Sequence, residues 1–314
     1  MQILDAATTR ARLPFPALIA ALRQAFVAGC ELPLRHTHTI ENPNGPAGTL
    51  LLMPAWRRGA RLGVKTVTIF PGNSARGVAG LHSLYTLFDA TSGVPLAQID
   101  GDQITARRTA AASALAASFL ARDDATRLLV LGSGRVAALL PEAMRAVRPI
   151  AEVMVWNHRS EGAERLAAAL RADGVAARSV LTLADAVTQA HIVSCATLAT
   201  APLVHGEWLA PGTHLDLIGS FTPTMRECDA ACFARSHVFV DTDEALAKSG
   251  DVIGARAEGG FVDTQLQGTL AQLCRGEVGG RRDAAEITLF KAVGSALEDL
   301  AAAELVVDGA PSTR

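Results

Sequence analysis

The stretch LLVLGSGRVAAL, residues 128–139, decides how most of this 314-residue chain folds. LLVL is typical of a buried strand, and a helical pattern begins after Gly134. Gly132, Gly134 and Ala137 have the G-x-G-x-x-A spacing of a dinucleotide-binding turn, in which they allow a tight turn, a close approach to a pyrophosphate and close packing of helix on strand. The stretch therefore predicts the first strand-turn-helix unit of a parallel α/β sheet, with an anion at the helix N-terminus.

The same alternation of strand and helix continues towards the C-terminus. Short apolar runs, each followed by loop or helix signals, recur in EVMVWN, AHIVSCAT, THLDLIGS and SHVFVDT. Alternating strands and helices favour a doubly wound parallel (Rossmann) sheet, which we predict over residues 123–294. A last helical pattern is predicted over residues 283–305.

The first third of the chain has a different pattern. A helix is predicted over 16–28, and four strand-like runs follow, of which the last two are joined by a hairpin at Ala90–Gly93. An Ala-rich helix over 102–122 then leads to Asp123 and Asp124, where we place the domain boundary. This part of the chain, residues 1–122, is predicted to be α+β with a mainly antiparallel sheet.

Composition excludes several classes of protein. The net charge is −2, and Lys and Arg are scattered, so no nucleic-acid or membrane-surface partner is expected. The five cysteines contain no C-x-x-C, and no His or Cys cluster has zinc spacing, which favours reduced thiols and no metal site. The N-terminus lacks the apolar region of a signal peptide. We therefore expect a cytoplasmic protein without a metal site.

The segment VWNHRS, residues 155–160, indicates which dinucleotide binds. The second strand of such a unit normally ends in an acid that accepts hydrogen bonds from the ribose 2′-hydroxyl. Here Asn157, His158 and Arg159 stand at that end instead. An acid would repel a 2′-phosphate, whereas Asn157 can donate to it and Arg159 can pair with it. The segment predicts NADPH in preference to NADH.

Three further segments make the chain recognisable: VKTVTIFPGN (64–73), LFDATSGVPLAQIDGDQITARRTAAASALAA (87–117) and EITLFKAVGSALEDLAAA (286–303). With the GSG loop at this distance they resemble the ornithine cyclodeaminase/mu-crystallin family over nearly the whole chain. The resemblance implies a homodimer whose subunits combine a Rossmann domain with a discontinuous substrate-binding and dimerisation domain, residues 1–122 and 295–314. It also implies a nicotinamide cofactor and a small α-amino or α-imino acid substrate.

The resemblance also implies roles for individual residues. Arg35, Lys65 and Arg108 match positions that bind the substrate carboxylate, and a carboxylate held away from water needs such cations. Lys65 and His82 are the candidate catalytic residues, although His82 is equally interpretable as a structural histidine. The residues expected at the cofactor are Thr109, Gly132, Ser133, Gly134, Arg135, Val136, Asn157, His158, Arg159, Cys195, Ala196, Thr197, Gly219 and Ser220.

One departure from the family pattern indicates the reaction. Cyclodeaminases carry an acid in a segment patterned like GGDxPGKxE, and the matching segment here is IGSFTPTMRE, residues 218–227. Phe221 stands where the acid should be, and a phenyl ring cannot act as a general base.

The remaining cations and nicotinamide suit reduction of a preformed cyclic ketimine, 1-pyrroline-2-carboxylate or 1-piperideine-2-carboxylate, to proline or pipecolate. The proton for the imine nitrogen could come from His82 or from an ordered water. Two alternatives stay open. One is ornithine cyclodeamination to proline and ammonia, if another acid such as Asp216 reaches the pocket. The other is a non-catalytic, mu-crystallin-like binding protein.

Overall fold

The computed structural model describes residues 1–43 and 45–309, with Ser74 as backbone only. The first part of the chain contains β1 (Gln2–Leu4), α1 (Ala6–Ala11), α2 (Phe15–Ala28), β2 (His36–Ile40), β3 (Gly48–Trp56), β4 (Arg61–Ile69), β5 (Leu81–Asp89), β6 (Pro95–Asp100) and α3 (Gly101–Leu120). The rest contains β7 (Arg127–Leu131), α4 (Arg135–Arg145), β8 (Glu152–Trp156), α5 (Ser160–Ala172), β9 (Ala177–Ser179), α6 (Leu183–Gln189), β10 (Ile192–Cys195), β11 (His214–Leu217), α7 (Ala230–Ala234), β12 (His237–Val240), α8 (Glu244–Lys248), α9 (Gly250–Ala257), β13 (Leu266–Thr269), α10 (Leu270–Arg275), β14 (Thr288–Lys291) and α11 (Ala296–Asp308).

The chain divides into two compact units. Unit 1 comprises residues 1–108 and 295–314, and unit 2 comprises residues 109–294. The first boundary lies within α3, before the boundary predicted at Asp123. The Ala-rich second half of α3 belongs to unit 2, where Ser113 donates a hydrogen bond to Asp216. Residues 310–314 of the predicted segment 295–314 lie outside the described part of the chain.

Unit 1 is built on a six-stranded sheet in the order β1-β6-β5-β4-β3-β2. Its pairs are antiparallel except for β1 with β6, and β5 and β6 form the predicted hairpin. Helix α11 packs on β3, β4 and β5 and also on α2. Side chains alternate between the faces of a strand. Gly63, Lys65 and Val67 of β4 are therefore buried on one face, and the other face of the sheet is more open.

Unit 2 confirms the predicted doubly wound sheet. Its eight strands are parallel, in the order β13-β12-β14-β11-β10-β7-β8-β9. The order reverses between β7 and β10, and a dinucleotide binds across such a switch point, outside the carboxyl ends of the strands. The sequence therefore placed the GSG loop, which follows β7, at the point where a cofactor would bind.

The helix predicted over 283–305 is wrong in its first half. Residues 288–291 form strand β14, which lies fully buried between β11 and β12, and the helix itself begins at Ala296. Gly294 has φ +79°, a left-handed conformation that separates the two elements. Because short apolar runs cannot be assigned by periodicity alone, TLFK was absorbed into the following helical pattern.

Among the described residues, no helix is both long enough and apolar enough to cross a membrane. Within the same part of the chain, no three His, Cys, Asp or Glu side chains are grouped so that they could hold a metal ion.

Candidate functional site

Unit 1 contains a buried cluster of two cations and two carboxylates. Lys65 Nζ lies 2.7 Å from Asp299 Oδ2. Arg108 donates from Nε to Asp299 Oδ1 at 2.9 Å and from Nη1 to Glu298 Oε2 at 2.8 Å. All four side chains are at most 7% exposed. The structure thus brings together Lys65 and Arg108, which the sequence assigned to one substrate-binding group.

The local fold explains why these charges can be buried. Glu298 and Asp299 occupy the first turn of α11, after the cap residue Ser295, where the helix dipole favours negative charge. Burial disfavours ionisation of Asp299, but the charges of Lys65 and Arg108 hold its pKa below the usual value. Burial lowers the pKa of Lys65 to about 8, and the charge of Asp299 opposes that shift. Lys65 can therefore release a proton near neutral pH far more readily than a solvated lysine can.

The other residues predicted for the substrate lie apart from this cluster. Arg35 is half-buried immediately before β2, two strands away from β4. His82 pairs with Thr68, whereas Lys65 pairs with Tyr85, so His82 and Lys65 project from opposite faces of the sheet. His82 is exposed on the open face. The structure does not bring His82 to the ammonium of Lys65.

The glycine loop of unit 2 has the features of a pyrophosphate site. Gly132 has φ +110°, and a Cβ there would come within 2.6 Å of the Ala196 carbonyl oxygen, so only glycine fits. Gly134 is the N-cap of α4, without a side-chain cap, and no atom lies within 4 Å of the position that its Cβ would take. There is therefore room beside Gly134 at the N-terminus of α4, and a helix N-terminus suits an anion.

The loop after β8 lies beside the glycine loop. A Cβ at Gly162 of α5 would come within 2.6 Å of Ser133 Oγ and 2.7 Å of Asn157 Nδ2, so both side chains reach the same point of the helix. Asn157 Nδ2 donates to the Arg159 carbonyl oxygen at 2.9 Å. His158 and Arg159 are exposed. The structure therefore brings Ser133 and Asn157 together and leaves the Arg159 guanidinium accessible to a ligand.

The remaining residues expected at the cofactor occupy two strand ends and α3. Ala196 and Thr197 follow β10, Gly219 and Ser220 follow β11, and Thr109 is the first residue of unit 2. Arg135 and Val136 begin α4. Cys195 is the last residue of β10, and its thiol belongs to the apolar core, where burial raises its pKa well above the usual value.

Phe221 lies in the loop after β11, at the position where a cyclodeaminase is expected to have an acid. Phe221 is 38% exposed. Asp216, the acid that could have compensated, is fully buried in β11 and accepts hydrogen bonds from Ser113 Oγ at 3.0 Å and from Ser194 Oγ. Burial raises the pKa of Asp216 to about 6. Its carboxyl group is held inside unit 2 and has no exposed surface.

Sequence reasoning missed three of the buried carboxylates around these residues. Glu298 and Asp299 were included in the final helix without a role, and Glu227 was used only to mark the end of a motif. Glu227 accepts hydrogen bonds from the backbone of both predicted cofactor loops. The available signal was the position of Glu298 and Asp299 within the otherwise apolar ALEDLAAA, since an acid on a buried face requires a cation.

Comparisons with known proteins agree with the resemblance seen in the sequence. The model of the ornithine cyclodeaminase/mu-crystallin family matches residues 8–314. A Delta(1)-pyrroline-2-carboxylate reductase from Paracoccus denitrificans is 39% identical, over 97% of this chain and 96% of the relative.

Solved structures give the same result. The Thermococcus litoralis Delta(1)-pyrroline-2-carboxylate reductase in complex with NADH and L-proline superposes with a TM-score of 0.91 at 31% identity, over 99% of this chain and 97% of that one. An archaeal alanine dehydrogenase dimer with bound NAD has a TM-score of 0.89 at 27% identity, over 99% and 96% of the two chains. This chain belongs to the ornithine cyclodeaminase/mu-crystallin family.

Proposed function

We propose that the protein reduces a small cyclic imino acid, 1-pyrroline-2-carboxylate or 1-piperideine-2-carboxylate, to proline or pipecolate with a reduced nicotinamide dinucleotide. The observation that carries this proposal is the full-length likeness to a reductase that binds NADH and L-proline. The glycine loop of unit 2 fits the dinucleotide, since Gly132 allows the tight turn and Gly134 leaves room at the N-terminus of α4. When bound, the reduced nicotinamide supplies the hydride for C2 of the ring.

Arg108 is proposed to bind the substrate carboxylate. A guanidinium has five N–H donors, and the bonds to Asp299 and Glu298 use Nε and one donor of Nη1. The Nη2 group can therefore form a charge-assisted bond to an incoming carboxylate. The two carboxylates balance the charges of Lys65 and Arg108, so a third cation is needed to bind an anionic substrate tightly. Arg35 is the proposed third cation.

Lys65 is proposed to donate the proton that the imine nitrogen requires. Its pKa of about 8 leaves it mostly protonated at neutral pH, yet the proton is easily released. The proton moves from Nζ to the ring nitrogen as C2 is reduced, and Lys65 is left as a neutral amine beside Asp299. Two observations favour Lys65 over His82: Lys65 is buried beside Arg108, and His82 projects from the opposite face of the sheet.

NADPH is the proposed preferred cofactor. Support comes from Arg159, which is exposed directly after β8, and from Asn157, whose amide lies beside Ser133 of the glycine loop. None of residues 157–160, which follow β8, is an acid, whereas an acid at the end of this strand would repel a 2′-phosphate. The proposed location is the cytoplasm, where the five free cysteines would stay reduced.

A homodimer is proposed, joined through the open face of the sheet in unit 1. This face carries apolar side chains of adjacent strands, among them Leu52, Val64, Leu84 and Ile3. Leu84 is 55% exposed and Ile3 is 78% exposed. Gln98 and Asp100 share this face, and apolar groups bordered by polar residues occur at interfaces of soluble proteins. Light scattering should give a dimer for the wild type and a monomer for Leu84→Lys, whereas Leu181→Lys, at an exposed leucine of unit 2, should remain dimeric.

A substrate panel tests the proposed reaction. NADPH and NADH oxidation would be followed with 1-pyrroline-2-carboxylate, 1-piperideine-2-carboxylate and, as an acyclic comparison, pyruvate with ammonia. We expect rapid oxidation with a cyclic imino acid and slow oxidation with pyruvate and ammonia. Faster turnover of pyruvate with ammonia would favour an alanine dehydrogenase. The absence of turnover with every substrate, despite dinucleotide binding, would favour a binding protein.

A further inference from the structure

One buried carboxylate connects the loops that follow two adjacent strands of the parallel sheet. Glu227 Oε1 accepts from the backbone N of Thr197 at 2.7 Å and from its Oγ1 at 2.8 Å. Glu227 Oε2 accepts from the backbone N of Gly219 at 2.8 Å and of Ser220 at 3.1 Å. Thr197 follows β10, and Gly219 and Ser220 follow β11. A single fully buried side chain therefore fixes the positions of both loops.

This arrangement of donors matches an ionised carboxylate. An ionised carboxylate has about four acceptor sites and no donor, and four donors occupy them here. Three of those donors are backbone N–H groups, which cannot rotate to become acceptors. A side-chain amide would place its NH2 group against at least one of these N–H groups and leave it without a partner.

A second buried carboxylate and a buried lysine support Glu227. Asp251 Oδ1 accepts from the backbone N of Glu227 at 2.6 Å and of Cys228 at 3.2 Å. Lys291 Nζ lies 3.1 Å from Asp251 Oδ2, and both side chains are 0% exposed. Burial raises the pKa of Glu227 to about 7, the charge of Lys291 opposes that shift, and the charge of Asp251 adds to it. Lys291 thus places a positive charge beside the two buried carboxylates.

The loops after β10 and β11 are in close contact at Gly219. A Cβ at Gly219 would overlap the backbone of Thr197 and the carboxylate of Glu227. The Thr197 loop also continues from Ala196, whose carbonyl oxygen abuts Gly132 of the glycine loop. Three consecutive strand ends, those of β7, β10 and β11, are therefore packed against one another at the carboxyl edge of the sheet.

The strand order assigns these loops to one half of a dinucleotide. In a doubly wound sheet the two mononucleotide halves bind on either side of the switch point. Here the switch point lies between β7 and β10. The loop after β8, with Asn157 and Arg159, lies on the adenosine side. The loops after β10 and β11 lie on the other side, where the nicotinamide half binds.

We propose that Glu227 is a positioning residue for the nicotinamide half of the cofactor. It acts through the backbone of Thr197, Gly219 and Ser220, which it holds at a fixed separation. The proposal rests on the nicotinamide cofactor of the proposed function. It predicts that a change at Glu227 weakens binding of the whole dinucleotide and leaves binding of the adenosine half unchanged.

The test compares Glu227→Gln with Asp229→Asn. Asp229 lies in the same unit and also accepts from two backbone N–H groups, those of Gly206 and Cys232, but its bonds are made at the start of α7 and not to the predicted cofactor loops. Hydrogen exchange would be measured first in the protein without cofactor. The amides that face the new NH2 group in Glu227→Gln, either that of Thr197 or those of Gly219 and Ser220, should exchange at least about tenfold faster, since they lose a buried acceptor, and all three should exchange at the wild-type rate in Asp229→Asn.

Binding titrations complete the test. The ligands are NADPH with its adenosine half 2′,5′-ADP, and NADH with 5′-AMP as the second pair. Glu227→Gln should raise the Kd of the tighter dinucleotide at least about tenfold and leave its adenosine half within about twofold of wild type. If Glu227→Gln does not fold, the same titrations are made with Glu227→Asp. Its carboxylate is shorter by one methylene, so it keeps the charge but cannot reach both loops, and the same rise in the Kd of the dinucleotide is expected.

The outcomes separate this proposal from the proposed function. Equal losses for the dinucleotide and its half, or no loss in the variant, would overturn the positioning role. A wild type that binds neither dinucleotide would overturn the nicotinamide cofactor itself, whatever the exchange data show.

Discussion

Lys65 and Asp299 form a buried ion pair of 2.7 Å, in which the lysine is 2% exposed and the aspartate 0%. The pair joins β4 to the first turn of α11, two segments more than two hundred residues apart in sequence. Asp299 also accepts from Arg108, so one carboxylate is bonded to both predicted substrate cations. The availability of the Lys65 proton is therefore controlled from the C-terminal helix.

Asp299→Asn should shift the pH dependence of imine reduction. Lys65 must be protonated to donate, so kcat/KM of the wild type should fall as pH rises through about 8. The charge of Asp299 raises the pKa of Lys65, and its removal should move that fall to lower pH. Glu304→Gln is the control, since Glu304 lies on the same helix but pairs with Arg57. An unchanged pH profile in Asp299→Asn would exclude Lys65 as the proton donor.

Arg108→Ala should raise KM for the imino acid sharply without weakening cofactor binding. Removing one partner of a buried pair costs about 3 to 5 kcal/mol, which corresponds to roughly a hundredfold or more in kcat/KM. Arg107→Ala is the matched control, because Arg107 is equally buried but donates to the Leu13 carbonyl oxygen and stacks on Phe15. If both variants raise KM equally, the effect is on the folding of unit 1 and Arg108 has no specific role in binding.

Arg159→Ala should narrow the preference for NADPH over NADH. A charge-assisted bond to phosphate contributes about 1.5 to 3 kcal/mol, or roughly ten- to a hundredfold in affinity. Titration with both cofactors measures the ratio of their Kd values. Arg165→Ala, at an exposed arginine further along α5, should leave that ratio unchanged. Tighter binding of NADH by the wild type would contradict the assignment.

The parts of the fold that the sequence could predict are those with local signals. The glycine spacing and the alternation of strands and helices located unit 2, because each βαβ unit carries its own pattern. Strand β14 could not be found this way, since its four residues continue into the helical pattern of α11. Its place between β11 and β12 depends on pairing with strands distant in sequence.

The site could be predicted only in part, for a related reason. That Lys65 would need a charged partner could be predicted from the sequence, because it lies inside an apolar run where a free ammonium is costly. The face from which a side chain projects depends on strand register, and this separates His82 from Lys65. The partners of a buried charge are likewise contributed by remote segments, as Asp299 is for Lys65 and Glu227 is for the Thr197 loop.

His214 should make unit 2 less stable in acid. Its ring is fully buried with Nδ1 3.0 Å from Thr288 Oγ1, and burial lowers its pKa to about 3, helped by the charges of Arg281 and Arg148. Between pH 6.5 and 3 the unfolded chain binds a proton that the folded chain does not, so stability falls as pH falls. From pH 7 to 5 this amounts to about 2 kcal/mol.

Denaturant unfolding of the wild type and His214→Asn at pH 7 and pH 5 measures this contribution. Asp216 and Glu227, whose pKa values are raised, act in the opposite direction, so the informative quantity is the difference between the two proteins. The variant should lose less stability on acidification than the wild type. Equal losses would show that His214 is protonated in the folded state.

Phe221 distinguishes the proposed reductase from a cyclodeaminase, and an assay of the wild type for cyclodeamination tests this distinction best. With L-ornithine and catalytic NAD, we expect neither ammonia nor proline, because Phe221 has no basic group and Asp216 is held by Ser113 and Ser194 inside unit 2. Phe221→Asp need not restore deamination, since a carboxylate placed without a cation or donor would have a raised pKa. Stoichiometric ammonia and proline from the wild type would show that another residue supplies the base, and ornithine cyclodeamination would then replace imine reduction as the function of this chain.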